Sequence, residues 1–269
     1  MLGKLIKYEW KATQRIFLPL YGLIVLFTLI NKAFFVFNFD KTSGMALVPF
    51  VITMIIYCVL IAATGIVTLV VSIQRFYKNL LGDEGYLSFT LPVKPHSHID
   101  SKMIVTLIWT LLSIAVAALS IFILAVNSDT VRDFSEFCAA VGRFFSQYGF
   151  QAYGLLIELI VLMLVSVLSG TLEIYAAVTV GNLSGKHKLL AGFGAYIGFG
   201  VVEQIVFSAL FNAGKGFDFT GGYGQLSFDK LPFAAFAAGF GVLILYSLVF
   251  GAAFYFFTNW MLSKKLNLE

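Results

Sequence analysis

The sequence predicts an all-α integral membrane protein with six transmembrane helices, and two observations lead to this fold class. Of the 269 residues, 59% are hydrophobic and only 12% are charged, whereas an ordinary soluble domain is about 45–50% apolar and about 25% charged. Such a chain cannot cover a globule with polar side chains, and it has too much apolar surface to remain disordered. Its apolar residues also gather in six stretches, each as long as the roughly 20 residues that a membrane-spanning helix needs.

The six stretches follow one another along the whole chain, which predicts a single transmembrane domain over residues 1–269. The expected spans are residues 16–37, 46–73, 103–126, 155–180, 189–211 and 233–261. Residues 42–74 and 231–263 contain no charged side chain, so the second and sixth spans are the most clearly delimited.

The segment before the first span is basic and amphipathic. Its apolar residues fall on one helical face and its cations on another. The apolar set is Leu2, Leu5, Ile6 and Trp10, and the cationic set is Lys4, Lys7, Lys11 and Arg15. This pattern predicts an N-terminal interfacial helix over residues 1–15, with Pro19 at the turn into the first span. The alternative is an ordinary positive flank of that span.

The distribution of cations predicts the orientation in the membrane. Of the 18 Lys and Arg residues, twelve lie on the side that holds both termini and six on the other. Cytoplasmic loops carry the excess of Lys and Arg, so both termini are expected in the cytoplasm. The net charge of +4 is therefore a sign of topology, and no nucleic-acid partner is expected.

Two connections between spans carry apolar patterns of their own. In residues 127–153, apolar side chains recur at helical spacing, which predicts an amphipathic helix on the outer membrane surface. The cytoplasmic connection, residues 74–102, holds a second apolar group made up of Tyr86, Leu87, Phe89 and Leu91. Apolar side chains clustered in a cytosolic loop mark a binding surface, unless they pack beneath the helical bundle.

The start LGKLIKYEW, the six-span layout and the loop GDEGYLSFTLPV followed by a Ser-Lys pair resemble bacterial ABC-2 type transporter permeases. The resemblance implies a permease subunit of an ATP-driven exporter in the bacterial plasma membrane, paired with an identical or related second permease subunit. It also implies a coupling helix between spans two and three that contacts a separate nucleotide-binding ATPase, which binds the ATP and magnesium. The residues within or beside that contact would be Asp83, Glu84, Gly85, Tyr86, Leu87, Phe89, Leu91 and Pro92.

Motifs for chemistry within this chain are missing. The run Gly181 to Lys186 has one residue too few between its glycines for a phosphate-binding loop. His96, His98 and Asp100 share a face only if their segment is extended, and metal sites usually need more ligands, so we expect a polar loop there. We therefore predict no catalytic residue, no metal site and no cofactor in this chain. Gly194-x-x-x-Gly198 predicts close helix packing.

Three acids lie inside the predicted spans, where ionisable groups are costly and usually face the bundle interior or a wet cavity. They are Glu158, Glu173 and Glu203. Glu158 and Glu173 are roughly 22 Å apart on an ideal helix and point within roughly 60° of each other. They predict a polar pathway or a gating bond, and the alternative is buried interhelical hydrogen bonding.

Two other functions remain open at this point. The chain would be a proton-coupled secondary transporter if the three intramembrane acids carried protons. It would be a non-transporting membrane immunity or sensor protein if its exposed loops only held a partner. An ATPase that co-purifies with the chain distinguishes the permease from both.

Overall fold

A computed structural model describes residues 2–37, 47–82, 95–184, 187–214 and 233–264. The secondary structure of these residues is entirely helical. The helices are α1 (Leu2–Val36), α2 (Leu47–Phe76), α3 (Pro95–Ala125), α4 (Ser128–Tyr148), α5 (Phe150–Asn182), α6 (Lys188–Gly214) and α7 (Phe233–Lys264). One π-helical turn, Tyr77–Leu81, continues α2, and the Gly82 N–H donates to the Tyr77 carbonyl at 2.8 Å.

Six of the described helices, all except α4, are long and apolar enough to cross a membrane. Each matches one of the six predicted spans, which confirms a multi-pass membrane protein. The helices extend beyond the predicted apolar stretches. Helix α3, for example, starts at Pro95, and proline is favoured at the first position of a helix. The polar loop expected around His96, His98 and Asp100 is therefore wrong, because these residues form the first turns of α3 and alternate residues of a helix point apart.

Residues 2–36 form one helix, with Pro19 in its interior. Ile6 and Trp10, on the apolar face of the N-terminal segment, pack against a buried cluster within the protein. The cluster consists of Phe17, Val71, Val105 and Trp109. This face therefore contacts α2 and α3, and the placement of residues 1–15 in the membrane interface stays a prediction.

The chain divides into two compact units. Unit 1 comprises Met1–Phe76 and Pro92–Val141, and unit 2 comprises Tyr77–Leu91 and Gly142–Glu269. The prediction of one transmembrane domain concerns the chain as a whole and stays a prediction.

Unit 1 is a bundle of α1, α2 and α3, whose buried faces carry hydroxyl pairs. Ser113 on α3 meets the Tyr21 hydroxyl of α1 at 2.8 Å and the Thr68 hydroxyl of α2 at 3.1 Å. Further along, the Tyr57 hydroxyl lies 2.9 Å from that of Ser120. Interhelical hydrogen bonds of this kind contribute roughly 0.6–2 kcal/mol each in a membrane, and here they set the register of the three helices.

Unit 2 is organised around α5, which packs along α6 and α7 and also against the π-helical turn. The closest approach is at the turn between α5 and α6. A Cβ atom added to Gly181 would lie 2.6 Å from the Lys188 carbonyl oxygen and 2.7 Å from the Cα of Gly192. Glycine at 181 is therefore required for the two backbones to meet.

The Gly194-x-x-x-Gly198 motif does not make the predicted close contact. A Cβ atom added to either glycine would meet nothing within 4 Å in the described part of the chain. The close approach of α6 to α5 occurs instead at Gly181 and Gly192. These two glycines do not have the spacing of a known packing motif.

Candidate functional site

Two of the three intramembrane acids come together in unit 2. Glu173 is buried on α5 and lies opposite Gly200 of α6, where a Cβ atom would be 4.0 Å from Glu173 Oε1. The Glu173 carboxyl group therefore lies beside this part of α6. Glu203 is one turn further along α6, on nearly the same face.

Two tyrosines complete what we call the acid–tyrosine cluster, which consists of Glu173, Tyr196, Glu203 and Tyr246. The Tyr246 hydroxyl of α7 donates to the backbone carbonyl of Glu203 at 2.9 Å. Tyr196 lies about two turns before Glu203 on α6. The carboxyl groups and the phenols are close enough to interact electrostatically, so three helices contribute to one polar site.

The acid–tyrosine cluster contains no cation. Neither Glu173 nor Glu203 forms an ion pair within the residues that the structure describes. Two negative charges side by side in an apolar bundle are costly unless they are neutralised. Bound protons or a bound cation would remove that cost.

Glu158 does not belong to this cluster. It precedes Glu173 by 15 residues on the continuous helix α5, a rise of roughly 22 Å. Its Oε2 atom is buried and has no hydrogen-bond partner in the described part of the molecule. Of the three predicted pathway acids, the structure thus brings together Glu173 and Glu203 and leaves Glu158 apart.

The predicted ATPase-coupling residues lie outside the described residues. They are Asp83, Glu84, Gly85, Tyr86, Leu87, Phe89, Leu91 and Pro92. The helices that precede and follow them are described, however, and both are held by specific contacts.

In unit 1, the beginning of α3 and the end of α2 are joined to α1 by ion pairs. Glu9 of α1 contacts the Lys102 ammonium group and lies 3.9 Å from the Arg75 guanidinium group. Lys102 is only 4% exposed. We call Glu9, Arg75 and Lys102 the ion cluster.

An aromatic stack lies beside the ion cluster. The Trp109 ring stacks between Trp10 and Phe17, with centroid distances of 4.4 Å and 4.5 Å. The Trp109 indole N–H donates to Thr13 Oγ1 at 2.7 Å, and the Thr13 hydroxyl donates to the Glu9 carbonyl at 2.8 Å. The stack and the ion cluster together fasten the N-terminal part of α1 to α3.

The sequence-based prediction did not include the ion cluster. One signal was present, since Glu9 is the only acid among the first 39 residues and stands between basic ones. Comparison with protein-family models, with curated proteins and with solved structures finds no match to this chain.

Proposed function

We propose that the chain is the membrane-spanning permease subunit of an ATP-driven transporter of the ABC-2 type. A separate ATPase docks on residues 83–93 at the cytoplasmic side and supplies the ATP and magnesium. A second permease subunit, identical or related, completes the pathway, and the expected direction is export. The proposal rests on the sequence resemblance and on how the structure holds the two flanks of the docking segment.

The upstream flank is the π-helical turn. Leu80 and Leu81 are buried, and the turn packs against α5 in unit 2. π-Helical turns are rare and occur frequently at functional sites. A displacement of the docking segment would therefore act on α5, the helix around which unit 2 is organised.

The downstream flank is the beginning of α3. Lys102, in the second turn of that helix, is bound to Glu9 of α1, which is also close to Arg75 near the end of α2. Because α1, α2 and α3 meet at this ion cluster, a displacement of α3 would move them together. The structural observation that supports the proposal is that the segments on both sides of residues 83–93 are held by contacts with other helices.

The test is a double substitution in the docking segment, Tyr86→Ala with Leu91→Ala. Truncation of a central apolar anchor typically costs about 2 kcal/mol or more, so we expect ATPase binding to weaken by more than about tenfold. The measurement is co-purification of a nucleotide-binding ATPase with the chain, and a monodisperse detergent profile confirms folding.

Leu183→Ala provides the matched control, because Leu183 is an exposed apolar residue in the turn between α5 and α6, on the same predicted side. ATPase binding should be unchanged in this variant. Normal co-purification of the Tyr86→Ala, Leu91→Ala double variant would overturn the docking assignment.

The acid–tyrosine cluster favours a second candidate, a proton-coupled secondary transporter. Glu203→Gln keeps the volume and hydrogen bonding of the side chain but removes its titratable proton. We expect this change to alter transport more than assembly. Proton flux into proteoliposomes under an imposed membrane potential, followed with a trapped pH-sensitive dye, measures the effect without a known substrate.

In the proton-coupled case, Glu203→Gln and Glu173→Gln should both abolish a proton flux that needs no ATPase. Glu136→Gln is the control, since that carboxylate is exposed on α4. Undiminished flux at every pH in both cluster variants would make the two acids structural and remove this second candidate.

A further inference from the structure

Helix α4 has two chemically distinct faces. Its apolar residues lie at helical spacing on one side, and they are Val131, Phe134, Phe137, Cys138, Val141, Phe144, Phe145 and Tyr148. On the opposite side Arg132 and Glu136 form an ion pair at 3.2 Å. Phe137 is 63% exposed, so the apolar face is open over much of its length.

Short links join α4 to two helices that are able to span a membrane. Two residues, Val126 and Asn127, separate it from α3, and Gly149 alone separates it from α5. Gly149 has a φ of +50°, a conformation that glycine adopts without strain. Since α3 ends and α5 begins at the edge of an apolar span, each end of α4 directly adjoins an apolar span in the chain.

The apolar face of α4 also continues the outer surface of α3. Within unit 1, the Phe134 ring meets the Phe122 ring edge-on, at a centroid distance of 5.1 Å. Phe122 is exposed on α3, together with Ile121 and Ile123. The exposed apolar surface of α3 therefore continues onto the apolar face of α4.

We propose that α4 is a membrane-docking helix whose apolar face lies in the headgroup–acyl boundary of the bilayer. Its 21 residues extend roughly 32 Å, and helices of this amphipathic kind lie in the plane of the interface. The helix carries three acids and two arginines, which give it no attraction for anionic headgroups. Docking therefore depends on its aromatic side chains and not on lipid charge.

The molecule offers a native reporter for this proposal, because Cys138 lies on the apolar face. A nitroxide on Cys138, in the full chain with Cys58→Ser, is examined in phosphatidylcholine nanodiscs. The control nitroxide is on Glu136→Cys, in a chain with Cys58→Ser and Cys138→Ser. Collision rates with oxygen, which concentrates in lipid, and with a water-soluble nickel chelate are measured at both positions.

We expect the Cys138 label to collide several-fold less with nickel and several-fold more with oxygen than the label at position 136. Added phosphatidylglycerol should leave both rates unchanged. Equal nickel collision rates at the two positions would overturn the proposal, because the apolar face would then be in water. Low rates for both reagents at Cys138 would also overturn it, because a protein surface and not lipid would then cover the face.

Discussion

Gly181→Ala should prevent stable folding of unit 2. The added methyl group would stand 2.6 Å from the Lys188 carbonyl oxygen and 2.7 Å from the Gly192 Cα. Both are backbone atoms and cannot move aside as a flexible side chain can. Overpacking typically costs about 1–3 kcal/mol and sometimes more, and this site belongs at the upper end. A large loss of folded yield and of thermal stability in detergent is the expected result.

Gly194→Ala and Gly198→Ala are the matched controls for this prediction. Each replaces a glycine in the same helical hairpin, but the new methyl group has no neighbour within 4 Å in the described structure. Alanine has the higher helix propensity, by about 1 kcal/mol. The two controls should therefore be as stable as the parent or slightly more so, and a Gly181→Ala variant that behaves like them would contradict the close backbone approach.

Glu9→Ala should have the second large effect. The substitution removes the carboxylate that contacts Lys102 and lies near Arg75, and it leaves Lys102 buried at 4% exposure. Removal of one partner from a buried ion pair typically costs about 3–5 kcal/mol, whereas an apolar replacement of the pair is often neutral. We expect about 3 kcal/mol for Glu9→Ala and recovery of most of it when Lys102→Met is added.

The control is the exposed ion pair between Arg132 and Glu136. Glu136→Ala removes a carboxylate from this pair, as Glu9→Ala does from the ion cluster. Glu136 is 66% exposed, and its pair spans one helical turn of α4. Such pairs contribute about 0.2–0.5 kcal/mol, so Glu136→Ala should hardly change thermal unfolding in detergent. Equal losses for Glu9→Ala and Glu136→Ala, or no recovery in the Glu9→Ala, Lys102→Met double variant, would rule out a buried, coupled ion cluster.

The spanning helices and the amphipathic helix can be predicted from the sequence, because each depends on local composition. A run of about 20 apolar residues has no other stable state than a spanning helix, and the spacing of Phe134, Phe137, Val141 and Phe144 determines an amphipathic one. The apolar pattern does not reveal that α3 starts at Pro95, because its first turns contain the polar residues His98, Ser101 and Lys102. Lys102 contacts Glu9 of α1, and no local pattern reveals that contact.

The candidate sites depend on such distant contacts even more. The three intramembrane acids are recognisable from their positions alone, but the meeting of Glu173 with Glu203 depends on how α5 packs against α6. No local sequence pattern determines that packing. The role of Glu9 is not visible in the sequence because its partners, Arg75 and Lys102, are far away in the chain.

The contact between Glu9 and Lys102 also determines when the N-terminal helix can dock on α3 during synthesis. The two residues are 93 positions apart, so a ribosome adding about 5–20 residues per second needs about 5–20 s between them. During that interval Ile6 and Trp10 have no α3 to pack against. The apolar face at the start of the chain therefore stays uncovered until α3 has been made, and only then is it enclosed by its own protein.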